Sequence, residues 1–175
     1  MDTFKAIIIL TMLLVLFPVL TSAQEKTVNN ETESVSPHVN KILNGPINRE
    51  GLEKMPYKTW FIPNFKTYLI DENSLKNIKK KKLKNLKILA FMGTWCHDSN
   101  REIPRLMRVC EYLEIEDQLE LYAVDVDKSS IYGREKGFDI KKTPTIIFLQ
   151  NGEEIGRILE EPETSFEQYL EELLK

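Results

Sequence analysis

Apolar and polar positions fall into blocks along the second half of the chain, each with the period of one kind of element. Residues 88–92 (Ile-Leu-Ala-Phe-Met) form an unbroken apolar run of strand length, the pattern of a strand buried on both faces. Residues 99–113 place Ile103, Leu106, Met107, Cys110 and Leu113 on one helical face. Residues 119–126 return to strand, and residues 129–136 read as a short helix stopped by Gly137. Residues 146–149 and 155–159 flank Gln150-Asn151-Gly152-Glu153, and Asn-Gly is a strong hairpin signal. Thr164 and Glu167 have capping-box spacing and open a helix with Phe166, Tyr169, Leu170, Leu173 and Leu174 inward. Asp71 caps a helix predicted to run to residue 81. After that helix the order β-α-β-α-β-β-α completes residues 71–175 and predicts an α/β domain, a central mixed sheet with helices on both faces.

The first seventy residues are patterned differently. Residues 6–20 are apolar apart from a threonine and a proline, and Thr21-Ser22-Ala23 follows. A membrane span needs roughly 20 such residues, so this shorter run reads as the core of a secretory signal at residues 1–23, cleaved after Ala23. The competing reading is an uncleaved anchor. Residues 24–40 are polar and cannot offset their ordering entropy by burial, so they read as a flexible tether. Tyr57, Trp60, Phe61, Phe65 and Tyr68 crowd residues 41–70, an extension expected to pack on the domain.

Composition narrows the functions. The formal charge of −3 argues against nucleic acid as a partner. Seven lysines from Lys76 to Lys87 make a basic patch, which reads as a solvated helix end, with binding of an acidic partner or headgroup as the minority reading. The only cysteines are Cys96 and Cys110. They stand 14 residues apart, and along one helix that is about 21 Å, beyond the reach of a disulfide. Cys110 lies on the apolar stripe and reads as a core thiol.

Chemistry gathers at Gly93-Thr94-Trp95-Cys96-His97-Asp98-Ser99-Asn100-Arg101-Glu102-Ile103-Pro104, where the buried strand gives way to a helix. A helix start favours thiolate over thiol at Cys96. An ionised Asp98 opposes that and a protonated His97 supports it, so their net effect is left open. Ser99 and Asp98 are candidates for catalysis, and capping of the helix accounts for either residue more simply. His97 is a tuner of Cys96, a hydrogen-bond donor to substrate, or a polar loop residue. A metal site is disfavoured, because Cys96 and His97 are adjacent and other ligands are scarce. No cofactor is expected.

This stretch resembles the thioredoxin superfamily. Trp95-Cys96-x-x-Ser99 stands where that family has Trp-Cys-x-x-Cys, Pro104 stands where its active-site helix is kinked, and Thr143-Pro144-Thr145 matches its cis-proline loop. The fuller string Gly-Thr-Trp-Cys-x-Asp-Ser-x-Arg-Glu-x-Pro is similar to exported bacterial thioredoxin-like proteins. The resemblance implies a thioredoxin-like fold, nucleophilic Cys96, and substrate contacts from Trp95, Thr143 and Pro144. Two departures stand out: Ser99 replaces the resolving cysteine, and Ala90 replaces a buried aspartate.

The expected function is therefore exported, periplasmic or extracellular, monothiol thiol–disulfide exchange with protein or low-molecular-weight thiols and disulfides. After signal cleavage, no stable membrane insertion is expected. The alternative is a redox-inactive module of the same fold that binds extended polypeptide beside Pro144. A thiol peroxidase ranks last, since the Pro-x-x-x-Thr-x-x-Cys pattern is missing.

Overall fold

The computed structural model describes residues 27–34 and 40–175, so the expected signal at residues 1–23 lies outside the described residues. The elements in chain order are β1 (Glu31–Glu33), β2 (Lys41–Leu43), β3 (Gly45–Ile47), α1 (Arg49–Leu52), α2 (Lys58–Thr67), α3 (Glu72–Leu75) and α4 (Lys80–Leu83). They continue with β4 (Leu86–Met92), α5 (His97–Leu113), β5 (Leu119–Ala123), β6 (Thr145–Gln150), β7 (Glu153–Leu159) and α6 (Phe166–Leu173).

The apolar run becomes β4, the middle strand of a five-stranded mixed sheet ordered β3-β5-β4-β6-β7. β4 runs parallel to β5 and antiparallel to β6, and α5 makes the crossover that a parallel pair requires. Side chains alternate across the pleat. Ile88, Ala90 and Met92 join the larger core with Phe61 and Phe65 of α2, Leu106 and Val109 of α5, and Phe166 and Leu170 of α6. Leu89 and Phe91 face the other way, with Val124 and Ile147, under Phe138 and Ile140.

That second face differs from the expected cover. Residues 129–136 form turns rather than a helix, so irregular chain, not a helix, packs over Phe91. The reason is local. Lys128 and Gly133 both adopt φ of 63°, and the Ile131 N–H donates to the Asn44 side chain. A left-handed residue inside a short segment stops helix propagation.

Other boundaries move for similar reasons. The helix expected over residues 71–81 splits into α3 and α4, with extended backbone at Lys79 between them. Asp71 does cap α3, accepting from Asn73 N and Ser74 N, but lysines three and four apart repel along a continuous helix. The strand expected over residues 119–126 ends at Ala123, because the Asp125 carboxylate accepts from Asp127 N and Ser129 N and closes a turn. The cap of α6 is Ser165, accepting from Gln168 N, not Thr164. Glu167 is buried and instead accepts from the Tyr68 hydroxyl at 2.8 Å and Asp71 N at 3.3 Å. The Asn151-Gly152 hairpin forms as patterned, with positive φ at both residues.

Upstream, the polar stretch is not all tether. Glu31–Glu33 pair antiparallel with Lys41–Leu43, and Asn29 N donates to Pro46 O at 2.9 Å. Backbone pairing and the side-chain bonds between Asn29 and Asn48 order a segment that has little apolar surface. The aromatic extension is built into the fold: β3 adds an antiparallel edge strand beside β5, and Tyr57, Phe61 and Phe65 are buried.

Candidate active site

β4 delivers the chain to a tight loop, Gly93 to Cys96, in which Cys96 N donates to Gly93 O at 2.9 Å. Cys96 is the N-cap residue of α5, with extended backbone, and it accepts Asn100 N on its carbonyl at 3.0 Å. Its sulfur therefore stands at the positive end of the longest helix in the described chain. The helix starts at His97, two residues before the position expected, so neither Ser99 nor Asp98 is its cap.

The half-buried Cys96 thiol donates to the carbonyl of Thr143 at 3.0 Å. The Thr143–Pro144 peptide is cis, and both residues are buried. Glu160 N donates to Pro144 O at 2.8 Å, and the Thr145 hydroxyl donates to Lys142 O at 2.8 Å, so this loop is tied to β7 and to itself. Trp95 folds back over Gly93, its indole N–H donating to Val124 O at 3.0 Å, with Lys128 Nζ 5.1 Å from the ring centre.

The remaining candidates separate. Ser99 is fully buried, and its hydroxyl accepts Gly93 N at 3.2 Å, joining the two ends of the loop. The His97 side chain is 89% exposed, with Nδ1 3.9 Å from Asp98. Asp98 pairs with Arg101 at 3.0 Å. Arg101 also reaches Glu161 at 2.8 Å and buried Glu102 at 2.5 Å, while Glu102 takes Arg105 at 2.9 Å. Ala90 is fully buried opposite Leu121 and Ile146, so no carboxylate stands at that position beneath the loop. Cys110 is sealed in the core, and burial pushes its thiol up to about 12.

Three supporting residues escaped the sequence reading. Gly93 is required by the indole: a Cβ there would lie 2.5 Å from Trp95 Cε2. Thr94, also buried, accepts Leu43 N at 3.2 Å and ties the loop to β2. Asn64 of α2 donates to Asn100 O at 3.1 Å. A glycine before the tryptophan was a visible signal, but the partners of Thr94 and Asn64 lie 51 and 36 residues away.

Among the described residues, no group of three or more His, Cys, Asp or Glu is placed to hold a metal ion. No helix there is long and apolar enough to cross a membrane.

Thioredoxin H9 of Arabidopsis thaliana is 36% identical over 72 residues, covering 41% of this chain and 48% of that protein. The chain thus spans about half the length of the curated relative it matches. Among solved structures, oxidised thioredoxin O2 of Arabidopsis thaliana aligns with a TM-score of 0.41 at 16% identity, covering 59% of this chain and 86% of that one. Trxlp from Edwardsiella tarda aligns with a TM-score of 0.39 at 17% identity, covering 61% and 95%. The family model for thioredoxin matches residues 66–172, more than half of the chain, including the Gly93–Cys96 loop, α5 and the cis-Pro144 loop. The parallel β4-α5-β5 crossover, the antiparallel β6–β7 hairpin and the cysteine facing a cis-proline lie within that match, and the chain belongs to the thioredoxin family.

Proposed function

We propose that this protein is an exported thiol–disulfide exchange protein that works through one nucleophile, Cys96. The observation that carries the reading is the half-buried Cys96 sulfur at the start of α5, 3.0 Å from the Thr143 carbonyl beside cis-Pro144. Family membership supports the type of chemistry, and Ser99 in the resolving position supports the monothiol form. The thiolate of Cys96 attacks one sulfur of a substrate disulfide, forming a mixed disulfide and expelling the other sulfur as thiolate. An outside thiol, glutathione or a partner protein, then attacks the mixed disulfide. That step regenerates Cys96 and leaves the incoming thiol joined to the substrate sulfur. Ser99 cannot take this role, because a hydroxyl forms no disulfide. Protein or small thiols are the substrates, with Trp95, Thr143 and Pro144 forming the surface they meet. Export rests on residues 1–23, and the mature chain then occupies the periplasm or the extracellular space.

The test is incubation of the full chain with oxidised glutathione, read by peptide mass spectrometry. One glutathione on Cys96, released by added glutathione, is the expected result. In Ser99→Cys, the supplied resolving thiol should keep that adduct from accumulating. No adduct on Cys96 would overturn the reading in favour of a redox-inactive module that binds polypeptide beside Pro144. Fractionation and N-terminal sequencing of the expressed protein check export, with cleavage after Ala23 expected.

A further inference from the structure

We infer that Asn64, upstream of the residues matched by the thioredoxin model, is a positioning residue for Cys96. The inference rests on the reading of Cys96 as the nucleophile. Its starting point is a defect in α5. Pro104 lies inside that helix and has no N–H, so the carbonyl of Asn100, four residues earlier, loses its helical partner. The proline ring also crowds that carbonyl and turns it out of the ladder. A part-buried carbonyl left this way is satisfied by a donor from elsewhere.

Asn64 supplies it. Its side-chain amide donates to Asn100 O at 3.1 Å and to Trp60 O at 2.9 Å, joining α2 to α5 one turn before Pro104. Phe61 and Phe65, on either side of Asn64 in sequence, are buried in the core and hold α2 in place. Asn100 also faces the active site, because its N–H donates to Cys96 O at 3.0 Å. One peptide-length step therefore separates the bond made by Asn64 from the bond that fixes the Cys96 backbone. The Asn100 side-chain oxygen is itself buried without a hydrogen-bond partner, so that oxygen gives residue 100 no second anchor. The extension thus holds the first turn of α5, and with it the sulfur at the helix start.

The alkylation rate of Cys96 in the full chain, followed on its own peptide by mass spectrometry at neutral pH, tests this. Four proteins are compared: wild type, Asn64→Ala, Pro104→Ala and the double variant. Loosening the first turn weakens the helix-end field at the sulfur, and Asn64→Ala should slow alkylation about threefold. In the Pro104→Ala background residue 104 has its own N–H for Asn100 O, and the effect of Asn64→Ala should vanish. A lower Tm with an unchanged Cys96 rate would show a merely structural residue and overturn the inference. An equal effect in both backgrounds would also overturn it. Should Asn64→Ala fail to fold, Asn64→Asp, of the same size but without the donor, is read in the same assay. A wild-type rate there overturns the inference. The rate is readable whether or not Cys96 exchanges disulfides with a substrate, so failure of the glutathione experiment leaves this test intact.

Discussion

A single atom decides how the loop before Cys96 is built. Gly93 is buried, and the indole of Trp95 occupies the space a Cβ would fill, at 2.5 Å from Cε2 and 2.6 Å from Nε1. Gly93→Ala must displace the indole and break its hydrogen bond to Val124 O. The expected cost is about 2 kcal/mol in urea denaturation, the usual size of overpacking, with a shift in tryptophan emission. Unchanged stability would contradict the close approach. Ser99 shows a second residue-scale constraint: its hydroxyl is committed to Gly93 N. Ser99 thus serves as a clasp between the two ends of the loop.

At the scale of elements, the extension is fastened to the domain through Glu167. This buried carboxylate accepts from the Tyr68 hydroxyl and from Asp71 N, linking the end of α2 and the start of α3 to α6. Tyr68→Phe should lower stability by about 1–2 kcal/mol, since it strips a charge-assisted bond from a buried acceptor, and equilibrium denaturation measures it. A neutral result would place the docking strength in the aromatic core instead. The same contact explains where sequence reading succeeded and where it stopped. β4, α5 and the Asn151-Gly152 hairpin were legible, because periodicity and turn chemistry within a few residues specify them. The cis-proline loop and Cys96 were legible from their motif. Glu167 was read as half of a local capping box, yet its partners lie 99 and 96 residues away. The turns over Phe91 were read as helix because the pull of Asn44 on Ile131 N lies outside any local window. Long-range polar pairing overrode local propensity at each of these places.

The whole molecule buries several acidic hydrogens, and this sets its response to alkali. Burial pushes the Cys110 thiol from 9.0 up to about 12, and desolvation together with Glu31 pushes the Tyr57 phenol from 10.0 up to about 12. Desolvation, reinforced by the Glu167 carboxylate, also raises Tyr68. A raised acid stays neutral in the fold while the unfolded chain has already lost its proton. Its contribution is therefore complete below about pH 9 and is lost as pH rises through 12. Tm should fall across that window, and Cys110→Ala should flatten the fall. A Tm independent of pH between 9 and 11 would contradict the burial of these groups. Cys96, the other thiol, is the one that carries the chemistry proposed. The most direct measurement is the alkylation rate of Cys96 in the folded chain against the same residue in the urea-unfolded chain, at one neutral pH. Folding is expected to accelerate Cys96 and to silence Cys110. A folded Cys96 that reacts no faster than the unfolded one would contradict it, and would mean that this fold is used to bind rather than to exchange disulfides.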